Sequence, residues 1–153
     1  SSVAIFKDLF DRLPNSFTPP AMSFSNDLEK KVSGEGVKWL DVSRFFKMPK
    51  PNGKTTPRFF ILGRQKYGVK HLVRNAVFET NMSETNNGVD DCLKGIEEAF
   101  KLKQPAIISN HRASFVGRIE QLNRDRGLAA LDQLLRAILK KWPDVEFITV
   151  KDI

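Results

Sequence analysis

Two histidines occur in 153 residues, and one of them stands where chemistry is readily placed. His111 follows the apolar run Ala106-Ile107-Ile108-Ser109 and lies between Asn110 and Arg112. An imidazole there can exchange protons near neutral pH, with a polar group on either side to hold a substrate. The bland alternative is a loop histidine that hydrogen-bonds its neighbours and does nothing else. Glu79 closes a second stretch rich in branched residues, Val69 to Phe78, where a carboxylate either orients a substrate or caps a loop. Arg74 and Asn75 lie inside that stretch, and a buried strand tolerates such groups only with partners, so both are assigned to the interior of a site. The candidate set is therefore His111 as the catalytic group, with Arg74, Asn75, Glu79, Asn110 and Arg112 binding substrate.

The other reactive residue types carry less. His71 opens the Val69–Phe78 stretch, the wrong end of a parallel strand for catalysis, and is read as structural. The two histidines make no metal pair. Cys92 sits within a helical pattern and is read as packing. Asp90-Asp91 falls in a first helical turn, where negative charge complements the dipole. Phe17, Trp39, Phe45, Phe46 and Phe115 lie near loops and can stack on sugar rings, although twelve phenylalanines are also ample for a core. Asn81-Met82-Ser83 fits a glycosylation tripeptide that often occurs by chance. No Gly-x-Gly-x-x-Gly, P-loop or Gly-x-Ser-x-Gly is present, so nucleotide and serine-hydrolase chemistry have no motif.

Elements must position these groups. Val3, Phe6, Phe10 and Leu13 recur at helical spacing up to Pro14, and this helix begins with little room for a cap, as in a piece of a longer chain. Asn26 reads as the N-cap of a short helix ended by Gly34 and Gly36. Val37 to Asp41 reads as a strand, and residues 47–58, with three prolines and Gly53, read as a mobile loop. Val69 to Phe78 reads as one strand and Asn81 to Gly88 as a loop. Val89, Leu93, Ile96 and Phe100 share a helical face, closed before Pro105. Ile107 and Ile108 mark a buried strand. Leu128 to Leu139 form an amphipathic helix, with Asn123 or Asp125 as cap, and Val145 to Val150 reads as a last strand. Strands alternating with helices imply a parallel α/β sheet with its functional loops at the carboxyl ends of the strands.

Composition fixes the class. With 41% hydrophobic and 28% charged residues the chain has an ordinary globular make-up, and its length suits one domain over residues 1–153. One cysteine rules out an internal disulfide, and two histidines with one cysteine rule out a zinc ribbon. No apolar run approaches the roughly 18–20 residues of a spanning helix, so no membrane partner is expected. The 25 Lys+Arg against 18 Asp+Glu give +7, but the cations recur along the chain, at Lys30-Lys31, Arg44, Lys47 to Lys54, Lys101, Lys103 and Lys140-Lys141. No single basic tail stands out, and no nucleic-acid partner is expected on that count.

One resemblance draws these residues together. Pro105 to Arg112 (PAIISNHR), Phe115-Val116-Gly117, Asn123 to Leu128 (NRDRGL) and Lys141 to Phe147 (KWPDVEF) together resemble the end of a polysaccharide deacetylase domain. Ser16 to Ala21 loosely resembles the segment where that family carries an Arg-x-Pro-type motif, without its arginine. The resemblance implies a distorted (β/α)7 barrel and metal-dependent removal of acetyl groups from an amino sugar polymer. It further implies that His111 stands where a late histidine protonates the departing amine. The family's metal and base come from early His-x-x-x-His and Thr-Phe-Asp-Asp motifs, and neither occurs here. The expected fold is thus the C-terminal part of the barrel, with parallel strands alternating with helices, no cofactor held by this chain and a divalent, zinc-like metal in full-length relatives. The expected partner is a carbohydrate, and open sheet edges are expected to meet an N-terminal half or another copy of the chain. A glycan-binding module without catalysis is the alternative.

Overall fold

The computed structural model describes residues 2–20, 24–50, 52–80, 88–118, 120–150 and 152–153. They fall into two compact units, Ser1–Val73 with Ile148–Ile153 and Arg74–Phe147. The Asn81-Met82-Ser83 tripeptide and most of the loop from Asn81 to Gly88 lie outside the described residues.

The first unit contains α1 (Ser2–Phe10), β1 (Ser16–Phe17), α2 (Asn26–Gly34), β2 (Trp39–Ser43), β3 (Phe45–Pro49), β4 (Thr55–Phe59), β5 (Gln65–Lys66) and β6 (Val69–Arg74), whose last residue enters the second unit. Strands β1, β2, β6 and β5 form one sheet in that order. β1 and β2 are parallel, with Ser16 opposite Trp39 and Phe17 opposite Leu40, so β1–α2–β2 is a βαβ unit. β5 and β6 are antiparallel. Their two-residue turn holds Tyr67 at φ +51 and Gly68 at φ +87, the left-handed pair that a tight hairpin requires. Phe24, Val32, Leu40, Val42, Phe46, Phe60, Val69 and Val73 are buried together as its core.

The second unit contains β7 (Ala76–Val77), α3 (Gly88–Lys101), β8 (Ile108–Ser109), a 3-10 turn (Arg112–Phe115) and α4 (Gln121–Lys141). β7 and β8 are parallel, with Ala76 opposite Ile108 and Val77 opposite Ser109, and α3 connects them as a second βαβ unit. α3 turns Val89, Cys92, Ile96 and Ala99 inward at the expected helical spacing. It packs so closely that a Cβ on Gly95 would lie 2.9 Å from Ala76 Cα. Leu134 and Ile138 of α4 close this core over Phe78 and Ile96.

The fold is therefore mixed α/β with both parallel and antiparallel pairing, which departs from the expectation of an all-parallel sheet. Residues 47–58 are not a loop but most of the antiparallel hairpin β3–β4, in register from Phe45 opposite Phe59 to Pro49 opposite Thr55. Backbone bonds Phe60 N–H to Arg44 O (2.9 Å) and Lys50 N–H to Lys54 O (2.8 Å) place the even-numbered β3 residues at hydrogen-bonded positions. Pro49 and Pro57 consequently occupy non-hydrogen-bonded positions, where a missing N–H costs no ladder bond. Gly53 at φ +75 and Asn52 Oδ1, which accepts Lys54 N–H at 3.1 Å, shape the turn.

Three further expectations are corrected. The Val69–Phe78 stretch is broken at Asn75 into β6 and β7. Among the described residues Val145 to Val150 forms no ladder: Val145 N–H bonds back to Trp142 O, and Thr149 bonds Asp152 through both N–H and Oγ1. Branched residues favour a strand only where a neighbouring strand receives them. Helix caps also differ, with Ser25 preceding α2 and Glu120 preceding α4, so Asn26 and Asn123 lie inside the first turns.

Candidate functional site

The β7–β8 register determines what meets at its carboxyl edge. Glu79 stands two residues beyond Val77, and His111 two residues beyond Ser109, so equal offsets bring the two side by side. Phe78 N–H donates to Ser109 O at 2.8 Å and carries the pairing one residue past the strands. His111 Nδ1 lies 2.6 Å from Glu79 Oε1. A carboxylate can only accept, so Nδ1 carries the proton and Nε2 is left as the outward nitrogen. The histidine side chain is 69% exposed and the glutamate 14%, so the pair has a covered anchor and an open reactive end.

Close backbone approaches hold both partners. Gly88 opens α3 directly against Glu79, and a Cβ there would collide with the Glu79 carbonyl oxygen. Gly127 brings α4 onto the turn after His111, and a Cβ there would collide with the Ser114 carbonyl oxygen. Ser114 N–H donates to His111 O at 3.0 Å, and Asn123 Nδ2 donates to Ala113 O at 2.7 Å. The loop that carries His111 is therefore clamped from the α4 side.

The remaining predicted site residues divide. Arg74 Nη1 donates to Ser109 Oγ at 3.2 Å, tying the end of β6 to the end of β8. The Asn75 amide is engaged with backbone: its Nδ2 donates to Pro105 O at 3.0 Å, and its Oδ1 accepts Ile107 N–H at 2.7 Å. Asn75 thus fixes where β8 begins. Asn110 and Arg112 are exposed on either side of His111. A cleft of about 350 Å³ in the first unit, lined by Lys38, Trp39, Gln65 and Lys70 among others, contains none of the predicted site residues.

One cluster was invisible in the sequence. Glu29 of α2 has no exposed surface, and Arg58 Nη2 donates to both its oxygens at 2.8 and 3.0 Å. His71 Nε2 lies 3.0 Å from Oε1, and Lys66 Nζ lies 3.5 Å from Oε2. Burial pushes the Glu29 carboxyl up, but hydrogen bonds from His71 and Arg58 and the charges of Arg58 and Lys66 outweigh it and hold the group below its ordinary range. No substrate reaches a carboxylate so enclosed, so the cluster ties α2, β4, β5 and β6 together. His71, buried against the edge of the Phe60 ring, belongs to it.

A catalytic zinc-like ion takes three protein ligands. Among the described residues no three His, Cys, Asp or Glu side chains gather to hold one, and Glu79 and His111 face each other. The described donor set does not fit the metal that the family resemblance implies. Comparison with protein-family models, with curated proteins and with solved structures gives no match.

Proposed function

We propose that this chain is the C-terminal part of a polysaccharide deacetylase-like hydrolase, supplying the group that protonates the departing amine while inactive by itself. The observation that carries the reading is the His111–Glu79 pair at the carboxyl edge of two parallel strands. In amide hydrolysis a water oxygen joins the acyl carbon, the C–N bond breaks, and the nitrogen leaves as an amine after taking a proton. Nε2 of His111 is the outward donor for that proton. Glu79 on Nδ1 fixes the ring and faces the positive charge it carries as an acid. Asn110 and Arg112, exposed on either side of His111, suit the hydroxyls of a sugar. Two βαβ units in one chain agree with part of a (β/α) barrel.

The test is acetate release from an N-acetylated glucosamine oligomer by the product of the whole gene. His111→Ala is expected to lower kcat by about 10²–10⁴-fold, the usual worth of a positioned general acid, with KM little moved. Unchanged kcat in His111→Ala overturns the assignment. If the wild type releases no acetate yet this chain binds the oligomer through Glu79 and Arg112, the glycan-binding alternative takes its place.

A further inference from the structure

Counted against the acids instead of alone, the cations are strongly uneven. From Val42 to Phe78 the chain has nine lysines and arginines and no aspartate or glutamate. The other 16 cations and 18 acids leave the rest of the chain at −2. Arg58 and Lys66 serve Glu29, but Arg44, Lys47, Lys50, Lys54 and Arg64 are exposed, and among the described residues none of these five forms an ion pair. The hairpin β3–β4 concentrates four of them. Its odd-numbered residues share one face, which is exposed on both strands. That face begins with Phe45 (46% exposed) opposite Phe59 (71% exposed), continues through Lys47, and reaches the turn that carries Lys50 and Lys54. At strand rise the row runs about 17 Å from the aromatic pair to the turn.

We infer that the outer face of the β3–β4 hairpin binds an acidic polysaccharide, with Phe45 and Phe59 packing on a sugar ring and Lys47, Lys50 and Lys54 meeting successive carboxylates. Cationic side chains supply donors and no acceptors, which suits a ligand whose polar groups are anions and not a neutral sugar needing both. Lys47, Lys50 and Lys54 are all exposed, and contact repeated along a polymer supplies the affinity. The Phe45 and Phe59 rings lie 5.1 Å apart at 52°, a tilted pair. Exposed rings take the C–H face of a sugar or the plane of a nucleobase alike. The choice of a glycan rests on the reading of the previous subsection, but the surface uses neither His111 nor Glu79.

The experiment is retention of the whole chain in affinity electrophoresis through polygalacturonate, its neutral methyl ester and poly(dT), each at two salt concentrations. Expected is salt-sensitive retention by polygalacturonate alone. Both Lys47→Gln/Lys50→Gln/Lys54→Gln and Phe45→Ala/Phe59→Ala should weaken it about tenfold, the first also flattening the salt dependence. Both variants alter exposed side chains, and circular dichroism checks that they fold. His111→Ala should bind as the wild type does, so a failed deacetylase reading leaves this result standing. Tighter retention by poly(dT), with the same phenylalanine dependence, overturns the proposal in favour of single-stranded nucleic acid. Equal retention by both polyanions without a phenylalanine effect reduces the surface to ion exchange and overturns it, as does no retention.

Discussion

Replacing Gly127 by alanine sets two effects of opposite sign against each other. In an unobstructed helix interior the exchange stabilises by about 0.8–1 kcal/mol, because glycine loses more backbone freedom on folding. At Gly127 the new Cβ lands on the Ser114 carbonyl oxygen, and the obstacle is backbone, not the end of a flexible side chain. Overpacking costs about 1–3 kcal/mol, and a backbone clash belongs at the upper end. The obstructing carbonyl can yield only if the Arg112–Phe115 turn shifts against α4, to which Asn123 ties it. The expected balance is a loss of about 1–2 kcal/mol, a fall in Tm of roughly 4–16 °C for a unit of this size, at about 4–8 °C per kcal/mol. Gly34→Ala is the control, since nothing lies within 4 Å of its added Cβ, and it should gain up to about 1 kcal/mol. Urea unfolding followed by circular dichroism reads both variants. The His111 ring resonances should move in Gly127→Ala, because Ser114 N–H bonds the His111 carbonyl. If Gly127→Ala raises the midpoint as Gly34→Ala does, α4 does not clamp the His111 loop.

Two other outcomes follow from buried groups. The Glu29 carboxyl is held below its ordinary value of 4.5, so its contribution to stability is full above that value and is lost as pH falls through its lower folded-state pKa. Glu29→Gln should cost about 3–5 kcal/mol at pH 7, as when one partner of a buried ion pair is removed. The gap in Tm from the wild type should narrow towards pH 3, and a gap independent of pH refutes the cluster's charge. Burial pushes the Cys92 thiol up to about 11. A thiol reagent at pH 8 should therefore label it only in denaturant, and prompt stoichiometric labelling of the native chain contradicts its burial.

Legibility in the sequence followed the range of the forces involved. α3 could be placed from Val89, Leu93, Ile96, Phe100 and Pro105 because its signals are local, and Glu79 and His111 could each be found at the end of an apolar run. That they meet depends on the β7–β8 register, which pairs residues 32 positions apart and leaves no mark in either segment. Glu29 gave no signal because its partners lie 29 and 42 residues away, and in its own helix it reads as one more exposed carboxylate. The prolines of the β3–β4 hairpin read as breakers, since their tolerance depends on hydrogen-bond parity set by the partner strand. Val145 to Val150 has strand composition, but among the described residues no strand pairs with it, and composition alone cannot supply one. The charge imbalance from Val42 to Phe78 was legible throughout, but it lies in the missing acids.

The parity that admits Pro49 and Pro57 also governs what the hairpin does at its margins. Among the described residues β3 and β4 form a two-stranded ribbon, so the N–H groups at odd-numbered positions point outward along both edges. Such edges invite an incoming strand, and an exposed pair of phenylalanines would reward the docking. Each edge instead lacks one donor, at Pro49 on β3 and at Pro57 on β4, and Lys47 adds charge repulsion between copies. Pro49 and Pro57, which make the ribbon hard to recognise, join Lys47 in letting it hold apolar rings in water without seeding aggregation.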